Sequence, residues 1–301
     1  MKINLKKYPL QILDFVEHLG LVGFLFYTIT VLGVLIWSAG QIIPQEGATS
    51  TIFILIPVPY IIAEVEGHAF IAFYSFLWFS AAISIVYLLS EHVDSSRITK
   101  IRTWKESNLS AVFCVFAMVL AFSLLYQYLL IFLGTGIRAP APPEQFWERL
   151  YLLTRAAVWE EILVRFALIG VPMALIGIYR GEGNIKDVFG GFGFRKYWAI
   201  FVLLSVFIFT IGHLPGWNLW KLPQVFVPGL LFSYLFLKIG LHATIGVHLL
   251  WNFFGIPDVV LGNELYTGVM IFFFYIWLIV GIGIWLKIGF NMMCQRWKNE
   301  C

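Results

Sequence analysis

Charge is what this sequence has least of. Only 12% of its 301 residues are Asp, Glu, Lys or Arg, where a soluble domain carries about a quarter, so a water-facing surface cannot be covered. The net charge is +3 with no basic stripe beyond short clusters, which excludes a nucleic-acid partner. Cysteine is equally scarce. Of the three, Cys114 lies in an apolar run and Cys294 and Cys301 near the C-terminus, so neither a disulfide framework nor a CxxC metal site is expected. A small-residue cleavage site is missing after the first apolar run, which reads as a retained anchor rather than a signal peptide. No internal repeat of the kind that builds transporters from two related halves is visible. The glycine-rich Gly190 to Gly193 lacks the strand context of a phosphate loop and reads as a turn.

What is present is apolar: 60% of residues are hydrophobic and 18% aromatic. A helix crossing the hydrocarbon core needs about 20 such residues. Candidate spans are Gly20 to Ile43, Ala69 to Leu89, Leu109 to Leu133, Leu150 to Tyr179, Trp198 to Ile211, Val225 to Ile239, His242 to Ile256 and Tyr266 to Ile288. The expected fold class is therefore all-α, a polytopic membrane helix bundle of about eight transmembrane helices forming one integral membrane domain over residues 1–301. Within it, 1–149 hold N-terminal helices without a motif, 150–256 a catalytic helix core, and 257–301 a C-terminal helix and tail. Ile52 to Ile62 is apolar but carries Pro57 and Pro59, so it reads as an interfacial or re-entrant piece.

Lysine and arginine set the orientation. Lys2, Lys6 and Lys7 precede the first span; Arg97, Lys100, Arg102 and Lys105 follow the second; Arg180, Lys186, Arg195 and Lys196 follow the fourth; Lys287, Arg296 and Lys298 close the chain. The alternate connections are poor in cations, His213 to Gln224 having one. Both termini are thus expected in the cytoplasm, and the proline-rich Pro140 to Pro143 outside.

Ionisable residues inside spans are costly and point to function. The fourth span contains Glu160, Glu161 and Arg165; the fifth ends in Phe209 to His213; the seventh contains His248 and Asn252. Glu161 and Arg165 are four apart and share a helix face, so they are expected to pair as structural residues. Glu160 lies about 100° round the helix and has no partner on its own helix. His248 and Asn252, four apart, can aim at one spot that His213 can also reach. One carboxylate, two imidazoles and one amide are the parts for hydrolysis by activated water. Glu160 is the candidate general base, His213 holds the water, and His248 with Asn252 donate to the oxyanion. The same residues admit zinc, with Glu160, His213 and His248 as ligands, although their spacing is not that of an HExxH helix.

At these motifs the chain resembles the CPBP family of intramembrane endopeptidases, which includes CAAX prenyl proteases and bacteriocin-processing or Abi proteins. The family's EExxxR, FxxxH and HxxxN motifs correspond to Glu160, Glu161 and Arg165, to Phe209 and His213, and to His248 and Asn252. The resemblance covers Leu150 to Ile256. It implies a protease of glutamate type in which Glu160 and His213 activate water, His248 and Asn252 form the oxyanion site, and no cofactor is required, zinc being the alternative. It also implies a membrane-anchored or lipid-modified peptide or protein as substrate. The first three spans, which match no motif, are expected to carry the substrate-specific part.

Other residues carry blander expectations. His18, His68, His92 and His242 lie outside or at the edges of spans. Trp217, Trp220 and Trp251 suit a lipid-facing surface or interfacial belt, Trp159 and Phe209 suit core packing, and Arg155 suits snorkelling to the interface. Two rival functions use the same groups: a proton-coupled transporter, and an inactive protein binding a membrane partner. A transporter would place ionisable groups at several depths, whereas these gather at one level. That level lies about 15 Å below the external face for Glu160, so the orientation opens the site outward. Such a site suits an exported substrate at the cell membrane of a prokaryote, whereas a prenylated CAAX substrate would need the orientation reversed.

Overall fold

The computed structural model describes residues 8–42, 49–56, 58–98, 107–135, 137, 141–195 and 197–300. Lys2, Lys6, Lys7, Lys100, Arg102, Lys105, Lys196, Pro57, Pro140 and Cys301 lie outside these described residues. Among them the chain forms nine helices: α1 (Tyr8–Ile42), α2 (Gly67–Ile98), α3 (Asn108–Phe132), α4 (Phe146–Tyr179), α5 (Trp198–Gly212), α6 (Lys221–Lys238), α7 (Leu241–Asn252), α8 (Ile256–Leu261) and α9 (Glu264–Glu300). One two-stranded hairpin, β1 (Thr49–Ile56) and β2 (Val58–Glu66), stands between α1 and α2.

Five helices are long and apolar enough to cross a membrane, over Asp14–Gln41, Gly67–His92, Asn108–Phe132, Phe146–Tyr179 and Glu264–Cys294. The chain is accordingly a multi-pass helical bundle, with fewer full-length spans than eight. The difference falls on α5 to α7. At 15, 18 and 12 residues they rise about 22, 27 and 18 Å at 1.5 Å per residue, against a core near 30 Å. Their ends are set locally. Pro215 and Gly216 follow α5, and Gly240 at φ +129° separates α6 from α7, a conformation that L side chains rarely adopt.

The centre is aromatic. Phe24, Phe113, Phe116 and Trp277 are buried together, with Phe24 and Phe116 centroids 5.2 Å apart and Phe116 and Trp277 5.5 Å apart. The Trp277 indole donates to the Gly20 carbonyl at 2.9 Å, tying α9 to α1. Gly281 lets α9 lie directly on α3, since a Cβ there would fall 2.0 Å from the Ala117 carbonyl oxygen. This scaffold reaches α7, the helix of His248 and Asn252, through Tyr27, whose hydroxyl donates to the Leu250 carbonyl at 2.7 Å.

The segment expected to be interfacial or re-entrant is the hairpin. Thr and Ile lead in β1, and Ile and Val in β2, residues that suit a pleated, half-buried surface. Thr51 pairs with Glu64, and the register shifts between Ile52 and Phe53. Arg155 and Trp159, one turn apart on α4, donate to the carbonyls of Thr51 and Phe53 at 3.4 and 2.8 Å. Ser50 and the Tyr151 hydroxyl also bond. Arg155, expected to snorkel, has its guanidinium over the rings of Phe53 on the hairpin and Tyr151 on its own helix, at 5.4 and 5.6 Å.

Candidate active site

The middle of α4 is not an ordinary helix. Ala156–Glu160 and Ile162–Gly170 run as π-helix between α-helical ends, and π-turns concentrate at functional sites because they shift side chains off the regular register. The two adjacent carboxylates come out of this stretch with different surroundings.

Glu161 is fully buried and locked. Its Oε1 accepts from Arg165 Nη1 at 3.1 Å and from His248 Nδ1 at 2.8 Å. Arg165, also fully buried, gives its Nη2 to the Gly229 carbonyl at 3.2 Å and lies 4.8 Å over the Phe209 ring and 5.7 Å over Phe232. Glycine at 229 lets α6 lie close to α5, since a Cβ there would sit 3.1 Å from the Val206 side chain. The expected Glu161–Arg165 pair is thus present, and the bond from His248 to it is an addition that sequence spacing did not disclose.

Glu160 is left with 18% of its side chain exposed, and its Oε2 lies 4.0 Å from His248 Nε2. That gap is too long for a hydrogen bond and is the separation a bridging water would span. His213 caps α5. Its Nδ1 donates to the Phe209 carbonyl at 2.8 Å, leaving Nε2 free, and its ring meets the Phe209 ring edge-on at 4.8 Å. Phe209 in turn faces His248 at 6.5 Å, so it stands between the two imidazoles. Asn252 is less directly joined to the group: its Nδ2 donates to the Leu153 carbonyl of α4 at 3.2 Å, leaving one amide hydrogen and the carbonyl oxygen.

Zinc would need its three ligand atoms drawn about 2 Å from one point. Among the described residues no three His, Cys, Asp or Glu side chains come together as such a group, and Glu160, His213 and His248 do not fit it in this arrangement.

The remaining histidines lie apart from the site. His242 pairs with Glu91 at 3.5 Å and packs on Tyr87 at 4.6 Å, His92 bonds Ser107 at 3.1 Å, and His18 bonds the Asp14 carbonyl. Of the three tryptophans expected at a lipid-facing surface or belt, Trp220 is buried; Trp217 and Trp251 are partly exposed, the first edge-on to Trp220 at 5.7 Å and the second packed on Phe116. Trp217 and Trp220 enclose Lys221, whose Nζ is 4.0 and 5.5 Å from their ring centres. Lys221 was overlooked, although it is the one cation of its connection.

Residues 142–254 match the family model of the type II CAAX prenyl endopeptidases, described as Rce1-like. No curated protein and no solved structure matches the chain. The matched segment begins just ahead of α4, ends just past Asn252, and contains every residue of the site. The segment is similar to a CAAX-type protease domain, and the general class that this similarity supports is an intramembrane endopeptidase.

Proposed function

We propose that the protein hydrolyses a peptide bond of a membrane-associated substrate with water activated by Glu160. The observation that carries this reading is the contrast between two neighbouring carboxylates: Glu161 is fully buried and bonded to Arg165 and His248, while Glu160 remains partly exposed with the Nε2 of His248 4.0 Å away. A water between these two atoms would give its proton to Glu160 as its oxygen attacks the scissile carbonyl. His213, with Nδ1 anchored, presents Nε2 to orient that water or to protonate the leaving amine. In this reading His248, held by Glu161, and the free amide hydrogen of Asn252 stabilise the oxyanion. No metal enters this scheme.

The cation bias supports cytoplasmic termini, and the site shares the cation-poor end of the bundle with the hairpin. On that orientation the substrate is an exported or externally exposed membrane-anchored peptide at a prokaryotic cell membrane. The deciding experiment is cleavage of lipid-embedded peptides by purified protein. Glu160→Gln keeps size and hydrogen bonding but cannot take a proton, so hydrolysis should fall about 100-fold or more with the fold intact. Wild-type rates in the variant would overturn the assignment.

A further inference from the structure

We propose that Lys221 is the substrate-positioning residue of this site, its ammonium receiving a carboxylate of the peptide that lies against Glu160. The inference rests on the protease reading above and adds what selects the bond to be cut.

One face of α6 carries Lys221, Val225, Gly229 and Phe232, at intervals of four, four and three residues that align along a helix. Each of the last three touches the site. Phe232 packs on the His248 ring at 5.5 Å, Gly229 accepts from Arg165, and Val225 is buried with Val164 and Phe209. Lys221 continues this face one turn beyond Val225, just as Glu160 lies about one turn before Val164 on α4. Among the described residues the two side chains form no ion pair with each other.

The surroundings of the ammonium explain why. Trp217 and Trp220 offer it indole faces at 4.0 and 5.5 Å, and Gln224 offers a neutral oxygen at 3.3 Å. Such contacts hold a cation without neutralising it. Among the described residues no carboxylate comes within ion-pair distance of it. Two N–H donors remain for an incoming anion. The loop also fixes the box to the catalytic motif: the His213 carbonyl accepts the Trp217 amide at 3.1 Å, and the Asn218 carbonyl accepts the Lys221 amide at 2.9 Å. An un-neutralised, half-buried cation one loop turn from His213 is a receptor for the negative group of a peptide, either its terminal carboxylate or an acidic side chain.

The test uses the full chain in lipid and a membrane-embedded peptide in three forms: free C-terminal carboxylate, C-terminal amide, and amide with an added Asp near the terminus. Wild type should favour the free carboxylate over the amide by about tenfold in KM, the scale of one charged hydrogen bond, with kcat changing little. Lys221→Met should abolish that preference, and Lys221→Arg should restore part of it. Recovery by the Asp form would assign the anion to a side chain; failure to recover would assign it to the terminus. A Lys221→Met enzyme that keeps the wild-type preference, or a wild type that favours neither the free-carboxylate nor the Asp form over the plain amide, overturns the proposal. Peptide affinity measured on the Glu160→Gln background, with and without Lys221→Met, separates the two readings: the lysine should matter there even though nothing is cut. Should wild type cut none of the peptides while Lys221 still governs their binding, the protease reading alone would fail.

Discussion

His248 Nδ1 lies 2.8 Å from Glu161 Oε1, the same oxygen that accepts from Arg165 at 3.1 Å. One carboxylate oxygen therefore holds a structural cation and a candidate catalytic ring together. This fixes the ring's orientation and leaves Nε2 directed to Glu160. Glu161→Gln keeps the shape but leaves Arg165 as an uncompensated buried charge. It should cost about 3 kcal/mol or more in stability and lower activity as well. A thermal-unfolding comparison in detergent checks the first effect, and the peptide assay checks the second.

Arg165→Leu should lower the folded yield by a similar amount, about 3 to 5 kcal/mol, because Glu161 loses its counter-charge. Replacing both partners, Glu161→Leu with Arg165→Met, removes the buried charges together and should recover much of the folded yield. Activity should stay low, since His248 has then lost its holder. Chromatographic monodispersity and turnover of the same preparations distinguish the two outcomes, and full activity in the double variant would sink this division of roles.

Metal removal should leave turnover unchanged. Wild-type protein dialysed against a strong chelator is expected to cleave at its original rate, and added zinc is expected to give no increase. Loss on chelation with recovery on zinc would instead assign Glu160, His213 and His248 as ligands.

Orientation can be read with a single engineered thiol. In a variant with Cys114, Cys294 and Cys301 replaced, a cysteine at Pro142 should react with an impermeant reagent added outside the cell. Labelling from the cytoplasmic side alone would reverse the bundle and direct the site to cytoplasmic, CAAX-type substrates.

How far the sequence could be read depended on whether partners lay on one element. Glu161 and Arg165 are four residues apart, so helix geometry was enough to pair them. Five full-length spans were visible as apolar runs because each is long enough to stand out even where, as in α4, a few charges fall inside it. His248 and Glu161 are 87 residues apart, and no periodicity links two short helices across a bundle. The hairpin was hidden because a run of Ile, Phe and Val suits either a strand or a membrane segment, and only the acceptors it offers to Arg155 and Trp159 decide between them. Lys221 was visible as a lone cation, but its meaning needed Trp217 and Trp220 to be placed round it.

The attachment of β1 to α4 has a mechanical consequence. Two residues of strand advance about 6.6 Å and one helical turn about 5.4 Å, so Arg155 and Trp159 meet the carbonyls of Thr51 and Phe53 in step. A one-residue slide of the strand would turn both carbonyls away at once and break both bonds together. The hairpin is thereby geared to the helix that carries Glu160. A displacement of one is transmitted to the other, so a chain pressing on the hairpin would be felt at Glu160 without touching it.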